Sequence, residues 1–236
     1  MRLSLLLGLS LCVALLSSSA PAQNSVGRVH SQIQGIDVPS VAGAPFTAKV
    51  LVTWTEPLVG GGSSSRKYYT QIARDSQGRV RRETRGFVPA NSGADPPLRT
   101  FTVLDPVSRT RTICTAATMN CATGPFQPRV NLTEDGGTLS GAGSRPTRES
   151  LGQKTLLDLP VVGTHETVAE LEAGSRLAVT QIVSWYSPDL HIDLSVERNN
   201  PQLGHVTLEV TDLVQGEPDP SLLAIPSGYR VADRSN

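Results

Sequence analysis

The run Leu190-His191-Ile192-Asp193-Leu194-Ser195-Val196-Glu197 sets an aliphatic side chain at every second position and a polar one between. That two-residue period marks a strand with one buried and one wet face. The following run repeats it in the same sense, Val206, Leu208 and Val210 alternating with His205, Thr207, Glu209 and Thr211. Far upstream, Phe46, Ala48, Val50, Val52 and Trp54 recur with the same period. One-sided alternation belongs to antiparallel sheets, so the expected fold is mainly β, a single antiparallel sheet with little helix.

Between these anchors, further strands are expected at Arg66–Ala73, Arg79–Arg85, Arg99–Leu104, Arg109–Cys114, Val161–Leu171 and Arg176–Tyr186, with Gly228–Val231 closing the sheet as a final edge strand. Turn-forming residues separate them, as in Asp75-Ser76-Gln77-Gly78, Asp105-Pro106-Val107-Ser108, Ser187-Pro188-Asp189 and Asn199-Asn200-Pro201. Only Asp219–Ile225 reads as a helical turn. Residues 123–149 carry little periodicity and read as a flexible loop centred on the glycines from Gly136 to Gly143. With 236 residues, 38% of them hydrophobic, the chain suits one compact domain better than two. It is divided here into a leader over 23–45 and a single β domain over 46–236.

The first 22 residues read differently from the rest. Met1-Arg2 precedes an apolar run from Leu3 to Leu16, then Ser17-Ser18-Ser19 and Ala20-Pro21-Ala22. Charge, a short apolar core and an A-x-A site in that order make a secretory signal peptide, with cleavage expected after Ala22. The run is shorter than the ~20 residues of a spanning helix, so the mature chain is expected in the periplasm or secreted, without a membrane span. Cleavage removes Cys12 and leaves Cys114 and Cys121, which an oxidising compartment would pair. They bracket a short loop suited to two antiparallel strands, so the bridge would staple a hairpin, contributing about 2.5 kcal/mol through loop entropy.

Lys+Arg and Asp+Glu both total 21 and aromatics make up only 4%, which argues against nucleic acid as a partner. The most polarised segment runs from Arg66 to Arg85, where Arg66, Lys67, Arg74, Arg79, Arg81, Arg82 and Arg85 face only Asp75 and Glu83. It reads either as a solvated edge hairpin or as a surface for anions and lipid headgroups. His30, His165, His191 and His205 show no metal-ligand spacing, and no motif nominates a nucleophilic serine. No catalytic residue, metal or cofactor is therefore assigned. Asn131-Leu132-Thr133 has the form of a glycosylation sequon.

Three phrases carry a family resemblance: Arg74-Asp75-Ser76-Gln77-Gly78-Arg79-Val80-Arg81-Arg82-Glu83, the corner Trp185-Tyr186-Ser187-Pro188-Asp189-Leu190, and the ending from Glu217 to Tyr229. They resemble those of uncharacterised exported bacterial proteins, over roughly residues 66 to 232. Those proteins are in turn distantly similar to periplasmic lipoprotein carriers, whose curved antiparallel half-barrel shelters acyl chains on its concave face. The resemblance implies that the sheet here is curved, a half-barrel or an open barrel. The one-sided apolar sheet, with no helix to cover it, points to a non-enzymatic binding role, with lipid or another apolar ligand against Val50, Val52, Trp54, Ile192, Leu194, Val206 and Leu208. Two rival readings stand beside it: an exported hydrolase with a histidine–carboxylate site, and an envelope component whose sheet edges pair with partner strands.

Overall fold

The computed structural model describes residues 35–127, 146–171 and 177–233. The expected signal segment and its cleavage site, His30, Asn131 and the Gly136–Gly143 loop lie outside the described residues.

The described elements follow one another as β1 (Phe46–Pro57), β2 (Ser63–Arg74), β3 (Val80–Arg85), β4 (Val88–Pro89), β5 (Leu98–Asp105), β6 (Thr110–Thr115), β7 (Asn120–Pro125), β8 (Thr147–Leu156), β9 (Leu159–Leu171), β10 (Leu177–Ser187), β11 (Ile192–Asn200), β12 (Gly204–Gln215), the helical turn α1 (Pro220–Leu223) and β13 (Arg230–Asp233). They form one open sheet in the order β13-β7-β6-β5-β3-β2-β1-β12-β11-β10-β9-β8, with β4 set against β2 off that path. Most of the order is a meander. The exceptions are β13, set beside β7, and β1, which pairs along its length with β12 and joins the two halves of the chain.

The sheet is curved, and Arg74 measures the curvature. In register, Phe46, Arg74 and Val80 stand opposite one another on β1, β2 and β3 and so share a face. From β2 to β11 is three interstrand steps, about 14 Å in a flat sheet, more than one side chain spans. Yet Arg74 Nη2 donates to the carbonyl of Leu190, just before β11, at 2.7 Å. The sheet therefore curls toward this face, which we call inner. The same guanidinium donates to Ala44 O through Nε and Nη2 and to Pro39 O through Nη1. It thereby ties the segment 35–45, with its buried Ile36 and Val38, to the inner face.

The opposite, outer face has its own small core on β3, β5, β6 and β7. Phe101, Cys114 and Cys121 are buried there under Ile225 and Tyr229 of the C-terminal segment, with Leu98 and Val103 beside them. Cys114 and Cys121 are directly opposite on β6 and β7 and form a disulfide. Arg81 stacks over the Phe101 ring at 4.0 Å.

Several elements depart from the sequence expectations. β13 runs parallel to β7 rather than antiparallel, because the chain first crosses the outer face through α1 and Tyr229 before it reaches the edge. β8 has no counterpart among the expected strands: every residue but the last is exposed, so no face is selected to be apolar and no alternation is written into it. Together with β7, which continues to Pro125, it trims the expected 123–149 loop at both ends. β11 begins at Ile192, not Leu190, and continues through Asn200. His191 belongs to the preceding turn, with φ of 52°.

Candidate functional site

Antiparallel register places directly opposed residues on one face, so the inner surface can be read across the sheet in rows. One row is Ser150, Thr164, Ser184, Val196, Leu208, Val52 and Tyr68, from β8 across to β2. The next is Arg148, Glu166, Ile182, Arg198, Val206, Trp54 and Arg66. The first grades from polar on β8, β9 and β10 to apolar on β11, β12 and β1, while the second sets Ile182 on β10 and the charged Arg198 on β11 before the apolar Val206 and Trp54.

The apolar part contains the residues the sequence nominated. Val50 and Val52 are 0% exposed, Leu208 and Ile192 1%, Leu194 2% and Val206 6%, while Trp54 is half-buried. All seven lie on the adjoining strands β1, β11 and β12. Each fully buried aliphatic side chain contributes about 1.5–3 kcal/mol. Trp54 is oriented by its indole Nε1, which donates to Leu203 O at 2.8 Å. Phe87 packs on it with centroids 5.9 Å apart and meets Tyr68 edge-on at 4.8 Å. Phe87 and Tyr68 were not foreseen: Phe87 stands between Gly86 and Pro89 with no alternation around it, and Tyr68 follows Arg66-Lys67 in a mostly polar run. Burial pushes the Tyr68 phenol up to about 12.

The polar part holds a buried ionic group. Glu166 is 2% exposed and accepts from Arg148 Nε of β8. Arg198 and Asp193 lie close by on β11. Burial pushes the Asp193 carboxyl up to about 6; Arg198 pulls it back, and Asp37 and Glu166 push it further. Its Oδ1 is buried with no hydrogen-bond partner. Burial also lowers the Arg198 guanidinium from its ordinary value, against the pull of Asp193 and Glu166. The sequence placed Asp193 on the wet face. The register shift opposite Trp185 and Tyr186 interrupts β11 at this point, so strict alternation no longer tells which side chains are wet.

The described histidines do not gather. His165 lies 3.6 Å from Glu149 and His205 3.0 Å from Glu197, both at the surface. His191 Nδ1 meets the Tyr186 hydroxyl at 3.3 Å, so its near neighbour is a phenol and not the Asp193 expected beside it. Among the described residues no group of three or more His, Cys, Asp or Glu side chains could hold a metal.

The basic segment is dispersed, neither a wholly solvated hairpin nor a continuous cationic surface. Arg74 is fully buried on the inner face, where desolvation lowers its guanidinium to about 10. Arg81 is buried on the outer face, 3.6 Å from Glu83. Arg66 pairs with Glu56, Arg79 with Asp75, Arg82 with Asp37 and Arg85 with Glu83. On the outer side of β1 there is also an open hollow of about 350 Å³ lined by Lys49, Leu51, Tyr69 and Thr211.

No helix among the described residues is long and apolar enough to cross a membrane. No family model and no curated protein matches the sequence. Among solved structures, a chain of the Pseudomonas aeruginosa MucA/MucB complex aligns at 14% identity and a TM-score of 0.40, over 78% of this chain and 56% of that one. The lipoprotein LppX of Mycobacterium tuberculosis aligns at 12% identity and a TM-score of 0.31, over 73% and 87%. A putative outer membrane lipoprotein-sorting protein domain from Vibrio parahaemolyticus aligns at 11% and 0.27, over 84% and 94%. The chain thus spans little more than half of the MucA/MucB chain it matches, and each of these likenesses is a distant one.

Proposed function

We propose that the chain is an exported, non-catalytic binding protein that holds a lipid or similar apolar ligand against the inner face of its sheet. One observation carries the reading: the aliphatic rows of β1, β11 and β12 run directly into a buried ionic group whose Asp193 Oδ1 has no partner. Such a surface suits an amphiphile. An apolar chain would enter by displacing what now covers Val52, Leu208 and Leu194, and a donor on its polar head would satisfy the open carboxylate oxygen. The disulfide supports an oxidising compartment outside the cytoplasm, in keeping with the signal segment expected over 1–22. The hydrolase alternative would have to use one of two separate surface pairs, His165–Glu149 or His205–Glu197, since His191 meets Tyr186.

The test is organic extraction of protein purified from its native envelope, followed by mass spectrometry. Acyl species in near-stoichiometric amount are expected, and their absence from natively folded protein overturns the reading. Leu194→Asp should lose cargo and His191→Ala should keep it, because only the first lies among the aliphatic residues.

A further inference from the structure

The two ends of the sheet differ in what they leave open. Among the described residues β8 is the terminal strand at one end, hydrogen-bonded to β9 alone, and nine of its residues are exposed. A long exposed edge is a template for another strand. Natural edges are commonly blunted by proline, by like charges or by bulges. β8 has no proline within it, its charges, Arg148, Glu149 and Lys154, are of both signs, and its one departure from a regular edge is a bulge between Ser150 and Gly152.

The bulge in β8 decides how those charges are displayed. Glu149 and Lys154 would fall on opposite faces of a regular strand. The register slips between Ser150 and Gly152, so that Glu149 stands opposite His165 and Lys154 opposite Val161, an even number of positions apart on β9. Glu149 and Lys154 therefore share the outer face, while Arg148, Ser150, Gln153 and Thr155 share the inner one. Leu151 is the extra residue, 43% exposed. Beside it Gly152, at φ +79°, has open space where a side chain would be.

We propose that β8 is a dimerisation edge, pairing antiparallel with β8 of a second copy about a two-fold axis that passes between Leu151 and Gly152. A two-fold perpendicular to the sheet keeps each residue on its own face, so opposed residues must match in face as well as in chemistry. This register meets both conditions. Glu149 of each copy faces Lys154 of the other on the outer side, and Ser150 faces Gln153 and Arg148 faces Thr155 on the inner side. Leu151 of each copy lies against Gly152 of the other, where the missing side chain leaves room. Because both strands carry the bulge at the axis, each extra Leu151 is met by Gly152 of the other copy and the ladder continues on either side. The groups now nearest the charges do not prevent this: Glu149 is 3.6 Å from His165 with most of its side chain exposed, and Lys154 rests over the Trp185 ring at 3.6 Å. Lys154 is itself exposed.

The test is sedimentation equilibrium of the full exported chain and three variants. The parent should be a dimer. Glu149→Lys and Lys154→Glu each set two like-charged pairs across the axis and should weaken dimerisation at least roughly tenfold. The double variant E149K/K154E restores both pairs with their signs exchanged and should recover the dimer. Both positions are exposed, so the variants should keep the parent's circular dichroism spectrum. A parent that is monomeric at all concentrations overturns the proposal. So does a dimer indifferent to the single reversals, or a folded double variant that stays monomeric.

Discussion

The inner core of β1, β11 and β12 and the outer core of β5, β6 and β7 belong to one sheet but are built by opposite means. The inner core is aliphatic and joins strands distant in sequence, β1 pairing with β12 from Phe46↔Gln215 to Thr55↔His205. It is large enough to be stabilised by burial alone. The outer core is a local meander with three fully buried members, Phe101, Cys114 and Cys121, and its cover is a C-terminal segment held by Ile225 and Tyr229. Where apolar area is scarce, a crosslink supplies what burial does not. The sheet thus has a face stabilised by packing and a wing stabilised by a staple.

The sharpest way to break the comparison is to charge the inner core. Leu208→Asp should cost on the order of 5 kcal/mol and leave the chain unfolded by circular dichroism. Survival of the fold would mean that β1 and β12 are not the main support.

The next effect comes from the charge the inner face already holds. With the folded Asp193 carboxyl raised to about 6 from an ordinary 3.8, the folded chain binds a proton that the unfolded chain has released between those values. Stability from this group is therefore full below about pH 4, falls as pH rises through 4 to 6, and is gone above. The swing is about 3 kcal/mol. Asp193→Asn should remove it, so urea midpoints of the two proteins should diverge from pH 4 to pH 7, with the variant the more stable at neutrality.

On the wing, replacing both Cys114 and Cys121 by Ser should cost about 2.5 kcal/mol. Amide exchange should quicken in β7, β13 and residues 220–229 while β1 and β12 keep their protection. Equal loosening of both regions would show that the two cores are one cooperative unit. The smallest effect is expected at the inner rim. His191→Gly relieves a left-handed residue at φ 52° and gives up the long contact to Tyr186. The gain, about 1 kcal/mol, and the lost bond nearly offset each other, so the melting temperature should scarcely move.

Legibility in the sequence followed the same division. β1, β11 and β12 were readable because one face of each is buried, and burial writes alternation into the chain. The same rule hid β8, whose two faces are alike in their exposure, although it is ten residues long. On the wing, Arg81 and Glu83 read as surface charges, yet Arg81 lies against the Phe101 ring and Glu83 is held between Arg81 and Arg85. A planar cation on an aromatic face is partly desolvated without losing its partners, and residue type alone does not announce it. Period picked out seven residues of which six are buried and Trp54 half-buried, but Asp193 was misplaced where a register shift interrupts β11.

The anchoring of Arg74 also sets an order in time. Its guanidinium is satisfied by Pro39 and Ala44, which precede it, and by Leu190, which follows it by 116 positions. β1 likewise lacks one of its two neighbours until Gly204–Gln215 is present. A chain that emerges amino end first, from a ribosome or through a membrane pore, must carry Val50, Val52 and Phe46 uncovered while most of its length is still to come. The curl of the sheet therefore waits on the far half of the chain, which supplies both the Leu190 carbonyl and β12.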